Sequence, residues 1–429
     1  MPTPTLIGTP FHGWRVVAAA FVAQLVANGC TFLTFGVFVV PLSEAFETTR
    51  GTISAAPGLA MLAMGIAGPF VGRAIDGGPM RAIMLTGVAL LSGGLLLLSL
   101  ATALWQMALV FCLLVAVGAA LFGPLAASAL VVNWFVRRRG LALGVAVAGA
   151  TAASFLMPPL AAFLIDRVGW RGALAALGVG AAALAFPVLF AFVVRRPEDV
   201  GQTPDGDPLR ETASAEGVLL PETGALLRDP NLWLIALAFA FVFASPVVMS
   251  LHLVPWAEDR GLSRQSAAWF FTCMAPFSLL GKVAFGAVAD RLDPRRATWL
   301  ALSFLLATWC LLLSAPSYPA FLAIGAIYGL GVGAVAPIHG VIVGACFGRG
   351  GFGRVMGIGG LASLPIIAFS GPLAGLLYDA RGSYDLAFAL MAGSLAVAAL
   401  LIGFLRIPAA EPGARVVGAP AAAAPALPE

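Results

Sequence analysis

Apolar residues along this chain do not alternate with polar ones as on a half-buried strand; they recur in unbroken runs of about 18 residues or more from Trp14 to Arg406. Each run is long enough to cross a ~30 Å hydrocarbon layer at ~1.5 Å per residue. Helices are the expected form, because lipid leaves no water to satisfy an open backbone and no barrel-like alternation is visible. The pattern predicts spans over 14–40, 52–74, 82–103, 106–131, 140–165, 172–194, 231–256, 265–289, 297–315, 319–345, 354–378 and 384–406. The first run reaches span length before any convincing small-residue cleavage site, so it reads as a helix and not as a signal peptide.

Twelve spans put both termini on one side. Seventeen arginines fall on that side, among them Arg137, Arg138, Arg139, Arg195 and Arg196, against six on the other, and Lys282 alone lies inside a span. By the positive-inside rule the termini and the polar segment 195–230 are expected in the cytoplasm. The organisation this implies is a six-helix half over 1–194, a linker over 195–230, a second half over 231–406 and a cytoplasmic tail without structure over 407–429. The halves repeat at a nearly constant offset: Pro41, Glu44, Gly72 and Asp76 match Pro255, Glu258, Gly286 and Asp290 at 214, while Pro124, Gly144, Pro159 and Asp166 match Pro337, Gly357, Pro372 and Asp379 at 213. A half with an even number of helices keeps its orientation on repetition, so the repeat is parallel, about an axis along the membrane normal.

Composition agrees with lipid as the main solvent. The 429 residues are 60% hydrophobic and 10% charged, with a mean hydropathy of +0.98, whereas soluble domains carry about 25% charge. The pI near 9.0 does not point to nucleic acid, because the basic residues are scattered in ones to threes between spans. Five cysteines, Cys30, Cys112, Cys273, Cys310 and Cys346, lie in or beside apolar runs and have no disulfide or metal spacing. No GxxxxGK[ST] loop occurs, which disfavours nucleotide-driven transport. Three separated histidines and no buried acid give no catalytic constellation, so no enzyme, metal or cofactor is expected.

After the second and eighth spans the chain reads GRAIDGGPMR and GAVADRLDPRR. The second resembles closely the signature loop of the major facilitator superfamily, and the first is a weaker copy with Gly77 where Arg is usual. A glycine there allows close helix packing, while an acid and arginines at the helix ends can form charge pairs that hold one conformation. Asp76, Arg81, Asp290, Arg291 and Arg295 are therefore candidate gating residues. HGWRV in the first span, FGPLAASALVVNWFVRRRGLALGVAVAG from Phe122, GWRGA from Gly169, RRPEDVGQTPDG from Arg195 and GPLAGLLYDARGSYDLAF from Gly371 look like the monocarboxylate transporter branch and the related oxalate/formate exchangers. The resemblance implies that a cation in the eighth span, four residues before the signature glycine, holds a substrate carboxylate; here that place is Lys282. The polar or acidic residue one turn earlier is Ser278. The first-span lysine of animal members falls at Leu33, and the aromatic hydroxyls expected near the fourth and tenth spans fall at Phe122 and Val335, so lactate itself is not implied.

The residues support the same assignment independently. All twenty acidic residues lie in loops, tails or span ends, which counts against proton-coupled sugar carriers and carriers of organic cations. A buried cation without a buried anion leaves a place for a negative substrate, because an unpaired charge in low dielectric costs several kcal/mol. Lys282 precedes Asp290 by eight residues, roughly 12 Å along a helix, and snorkelling to the nearer surface is the structural alternative. His339, about 15 Å from the span end by the same reckoning, is a candidate proton carrier or a packing histidine, and His252 lies nearer the outer end. Gln24, Asn28 and Thr31 recur at helical spacing on the first span, either lining the pathway or bonding between helices. Trp14, Trp105, Trp134, Trp170, Trp233, Trp256 and Trp299 sit at span ends as expected of interface anchors.

The expectation is an all-α membrane protein of twelve transmembrane helices in two six-helix parallel repeats, monomeric, in a bacterial inner membrane. It is expected to be a secondary transporter of a small organic anion by proton symport or anion exchange, with Lys282, Ser278, Asn28, Phe122 and His339 at the substrate. The alternative is efflux of amphipathic compounds.

Overall fold

A computed structural model of the chain describes residues 10–49, 52–53, 55–206, 223–314 and 317–407. The expected tail beyond 407 and the middle of the linker, 207–222, lie outside the described residues. The spans are α1 (Gly13–Ala45), α2 (Ala56–Gly77), α3 (Met80–Ser99) and α4 (Leu104–Trp134), then α5 and α6 as the two limbs of Arg139–Phe192. In the second half come α7 (Pro230–Glu258), α8 (Arg264–Ala289), α9 (Pro294–Leu313), α10 (Tyr318–Phe347), α11 (Phe352–Arg381) and α12 (Asp385–Gly403). The limbs α5 and α6 meet at Gly169, whose φ of 71° and ψ of 170° break the helix where the sequence places a loop. Among the described residues there are no strands.

Aspartates and a serine start the helices of the second half. Asp229 accepts from the Asn231 N–H ahead of Pro230, Ser263 from the Ser266 N–H, and Asp293 from the Arg295 N–H beside Pro294. The perimeter is apolar: Phe70, Phe369 and Phe404 are each more than 70% exposed, a burden in water and ordinary against acyl chains. Two helices carry π-helical turns, Gly29–Leu33 in α1 and Phe111–Ala116 in α4.

The two halves meet along two glycine seams related by the repeat. A Cβ on Gly72 of α2 would meet the Gly353 carbonyl of α11, and a Cβ on Gly286 of α8 would meet the Gly140 carbonyl of α5. Gly68 opposes Gly357 on the first seam, and Gly144 opposes the Lys282 carbonyl on the second. Backbones this close leave room for no side chain, which is why glycine occupies these positions. Both seams lie toward one end of the bundle. At that end His12 donates its N–H to Gln202, and Asn231 and Arg406 exchange hydrogen bonds, so the first and last described residues share it; we call it the terminus-bearing face.

The residues that follow α6, including part of the expected linker, are pinned to this face. Trp134 Nε1 donates to the Val194 carbonyl at 2.8 Å and Arg81 Nε to the Val193 carbonyl at 2.8 Å. Glu198 pairs with Arg349 through two bonds of 3.1 and 3.2 Å, reaching from the first half to the second. Asp205 accepts from the N–H groups of Val136, Arg137 and Arg138, the orphan donors ahead of α5. Two tryptophans also depart from expectation, since Trp134 and Trp256 are buried rather than exposed to lipid headgroups. Trp134 is held by its bond to Val194, and Trp256 packs against Phe321, Phe388 and the Arg260 guanidinium.

Candidate functional site

Lys282 sits on the α5/α8 seam. The Gly144 contact presses its backbone against α5, and on the other side Gly333 of α10 packs against Ser278 and the Lys282 amide. Side chains on a helix lean toward its N-terminus, and α8 starts at the opposite face, so the lysine tail runs away from the terminus-bearing face. Its Nζ donates to Thr151 Oγ1 of α5. Thr151 lies twelve residues into the limb from Arg139, roughly 18 Å, near the middle of a ~30 Å layer. The ammonium is therefore deeper than its own backbone, and the tail does not snorkel to the nearer surface. Among the described residues no carboxylate is bonded to it, and Thr151 itself is buried.

The other expected site residues are only partly gathered here. Asn28 donates to the Gln24 carbonyl and side-chain oxygen on α1, and the α1/α5 contacts Phe21–Gly149 and Gly29–Met157 bracket that pair at the height of Thr151. Ser278 is one turn from Lys282 and is buried. Phe122 is fully buried inside the first half, against Gly87 of α3. His339 stacks on Phe239 with centroids 4.2 Å apart and lines a cavity of about 60 Å³ with Ser363, apart from the lysine. His252 bonds the Gly371 carbonyl at 2.9 Å and Tyr384 at 3.4 Å. On the α2/α11 seam, beyond the Gly68–Gly357 contact, the halves part around a cavity of about 470 Å³ lined by Phe32, Met61, Met64, Leu125, Met356 and Leu364. Its wall is apolar, and methionines make it adaptable.

The candidate gating acids accept backbone N–H bonds from the opposite half. Asp76 accepts from the N–H groups of Gly353 and Arg354 at the start of α11, both at 2.8 Å. Asp290 accepts from those of Gly140 and Leu141 at the start of α5. The partial positive charge of a helix N-terminus makes these favourable sites for a carboxylate. Burial nonetheless pushes Asp290 up from the usual carboxylate range, against the two amide bonds and nearby Arg139. Arg195 donates to the Asp76 carbonyl. Asp76 is itself buried, although the sequence places it at a span end.

The sequence profile of the Major Facilitator Superfamily matches residues 20–263 and 248–428. The chain belongs to the major facilitator superfamily. Within it, this facilitator falls in the monocarboxylate transporter-like branch. It is 29% identical to Monocarboxylate transporter 13 of Bos taurus over 397 residues, 90% of this chain and 87% of that protein. It is 30% identical to Monocarboxylate transporter 11 of Mus musculus over 413 residues, 90% and 86% respectively. Its fold matches that of the proton:xylose symporter XylE with a TM-score of 0.73 at 14% identity, covering 92% of this chain and 96% of that one.

Three features of this facilitator were not visible in its sequence. Thr151 is one hydroxyl in an apolar run and gives no sign of a distant cation. Glu198 and Asp205 read as ordinary linker charge, although the Pro and Gly around them hinted at fixed turns. Among the seam glycines, Gly72, Gly144, Gly286 and Gly357 stand out in the repeat, whereas Gly68 and Gly353 are marked only by their partners.

Proposed function

We propose that this facilitator is a secondary carrier for a small organic anion with an apolar body, moved by alternating access between the two halves. The observation that carries the reading is the Lys282 ammonium, held near mid-membrane between the halves with a hydroxyl as its recorded partner. A carboxylate would supply the missing charge, and the apolar cavity between the halves on the α2/α11 seam suits a hydrocarbon body better than a sugar. The arginine bias supports a cytoplasmic terminus-bearing face, in the bacterial inner membrane that this reading assumes. Proton symport and anion exchange are both compatible with one buried cation. In the symport version His339 carries the proton, and His339→Gln abolishes gradient-driven accumulation while sparing exchange. The size and methionine content of the seam cavity favour efflux of amphipathic compounds as the second reading.

The test is uptake into proteoliposomes of radiolabelled acetate, propionate, lactate and benzoate, with and without an inward proton gradient. At least one acid should show saturable flux. Lys282→Gln should abolish saturation with normal amounts of folded protein, because losing a shielded charge partner costs ~2–5 kcal/mol, some tens to thousands of fold. Lys282→Arg should keep partial function, since charge survives while geometry changes. Normal saturation in Lys282→Gln would overturn the reading.

A further inference from the structure

The anion anchor proposed above is held from across the seam. Lys282 belongs to α8 in the second half, and Thr151, which accepts its N–H, belongs to α5 in the first. An ammonium has three donors. One on Thr151 constrains how the other two are aimed. Without that acceptor, the four-carbon tail has several rotamers at each torsion and no fixed aim.

The same bond depends on the state of the carrier. Lys282 reaches Thr151 only because Gly144 lets the α8 backbone sit directly on α5. Thr151 lies seven residues beyond Gly144, about 10 Å along α5, which a lysine tail of about 6 Å covers only when extended and with the threonine side chain leaning back to meet it. Opening the terminus-bearing face must separate Gly140 from Gly286 and Gly144 from Lys282, because those contacts close it. The lysine backbone then withdraws from α5, and Thr151 passes out of reach.

From this geometry, and resting on Lys282 as the anchor, we infer that Thr151 is a positioning residue that completes the anion site only while the terminus-bearing face is closed. Anions arriving from the opposite face meet an aimed ammonium; anions arriving from the terminus-bearing face meet an unaimed one. The carrier therefore binds more tightly from the opposite face and releases toward the termini. With the orientation proposed above, that is tight capture outside and release into the cell.

The experiment uses right-side-out and everted membrane vesicles carrying the full chain, with acetate, propionate, lactate and benzoate as probes and the amount of folded protein measured for each variant. In the unmodified chain the KM from the opposite face should be at least severalfold below that from the terminus-bearing face. Thr151→Val, which keeps shape and removes the hydroxyl, should raise the first KM roughly tenfold, the effect of losing one charged hydrogen bond. It should leave the second KM and both maximal rates unchanged, and Thr151→Ser should restore the asymmetry. A valine variant that changes both KM values equally, changes only the maximal rates, or changes nothing overturns the inference. A lower KM in that variant also overturns it, showing that Thr151 competes with the anion for the ammonium. Lys282→Gln separates the two levels: intact saturation there removes the anchor itself, whereas lost saturation with a symmetric Thr151→Val effect removes only the positioning role.

Discussion

Replacing Gly72 with alanine should open the terminus-bearing face, and the size of the effect follows from the seam. The added carbon would lie 2.6 Å from the Gly353 carbonyl carbon and closer still to its oxygen. Both obstacles are backbone and cannot rotate away. Recovering a normal C···C contact of ~3.5 Å requires α2 and α11 to part by about 1 Å. The bonds from Gly353 and Arg354 to Asp76, 2.8 Å each, would then stretch to about 3.8 Å, beyond hydrogen-bond range. Overpacking alone costs ~1–3 kcal/mol; a shift of about 2 kcal/mol multiplies the open-to-closed ratio by roughly thirty. The reporter is Leu143→Cys on the other seam, where the fully buried Leu143 packs under Gly340 of α10, in a chain whose five native cysteines are serine. Labelling by an impermeant maleimide from the terminus-bearing face should quicken severalfold or more in Gly72→Ala. Gly93→Ala, where a Cβ meets nothing within 4 Å, should not change it. An unchanged rate in Gly72→Ala would refute the idea that the halves rock as rigid bodies, because strain on one seam would then not reach the other.

Other predictions use the same reporter or simple stability measurements. Glu198→Gln removes a pair whose side chains are 32% and 16% exposed, so at most about 1 kcal/mol is lost and labelling should rise no more than about fivefold; a larger rise would mean the pinned linker holds the closed state almost alone. Burial raises the Asp290 carboxyl in the closed form, and opening hydrates it toward its ordinary value. The closed form therefore binds the proton more tightly, and its extra stability is present at low pH and lost as pH rises through the raised value. Labelling, divided at each pH by that of a fully exposed cysteine to cancel the loss of thiolate, should slow on acidification toward the carboxylate range, and Asp290→Asn should weaken that dependence; the opposite slope would reject the assignment. Ser245→Ala strands the buried Trp309 indole N–H, which donates to Ser245 at 3.0 Å beside Tyr328 at 3.3 Å. The cost of ~1–3 kcal/mol should lower the thermal unfolding midpoint in detergent, and an unchanged midpoint would contradict it.

The spans were legible because lipid imposes a minimum length and an apolar composition that no loop here imitates. The repeat was legible for a further reason. Asp76 and Asp290, like Gly72 and Gly286, perform equivalent contacts at the two seams, so their spacing is held by geometry. Lys282 stood out by charge alone, in a span with no acid. Its partner did not, since a threonine in an apolar helix looks the same whether it bonds its own backbone or a cation from another helix. The depth of the ammonium does not follow from the backbone position, because the lean of side chains toward the helix start carries the tail further inward. Trp134 was placed at the interface by its position at a span end; its buried bond to Val194 depends on a chain segment sixty residues away.

The π turn at Gly29–Leu33 has a mechanical consequence. Such a turn holds one residue more than an α turn, so everything after it is rotated by about 100° relative to a continuous helix. The outer part of α1, Phe35–Ala45, is thus indexed separately from the part that carries Gln24 and Asn28. Deleting Cys30 would let the turn rewind to α and spin that outer part on its axis. Phe35 would leave Phe111, now 5.5 Å away between ring centroids, and the wall it forms in the 280 Å³ apolar chamber between α1, α2, α3, α4 and α6 would be lost. A single-residue frame error there would change the facing of the outer half-helix without altering its hydrophobicity, its length or its ability to insert.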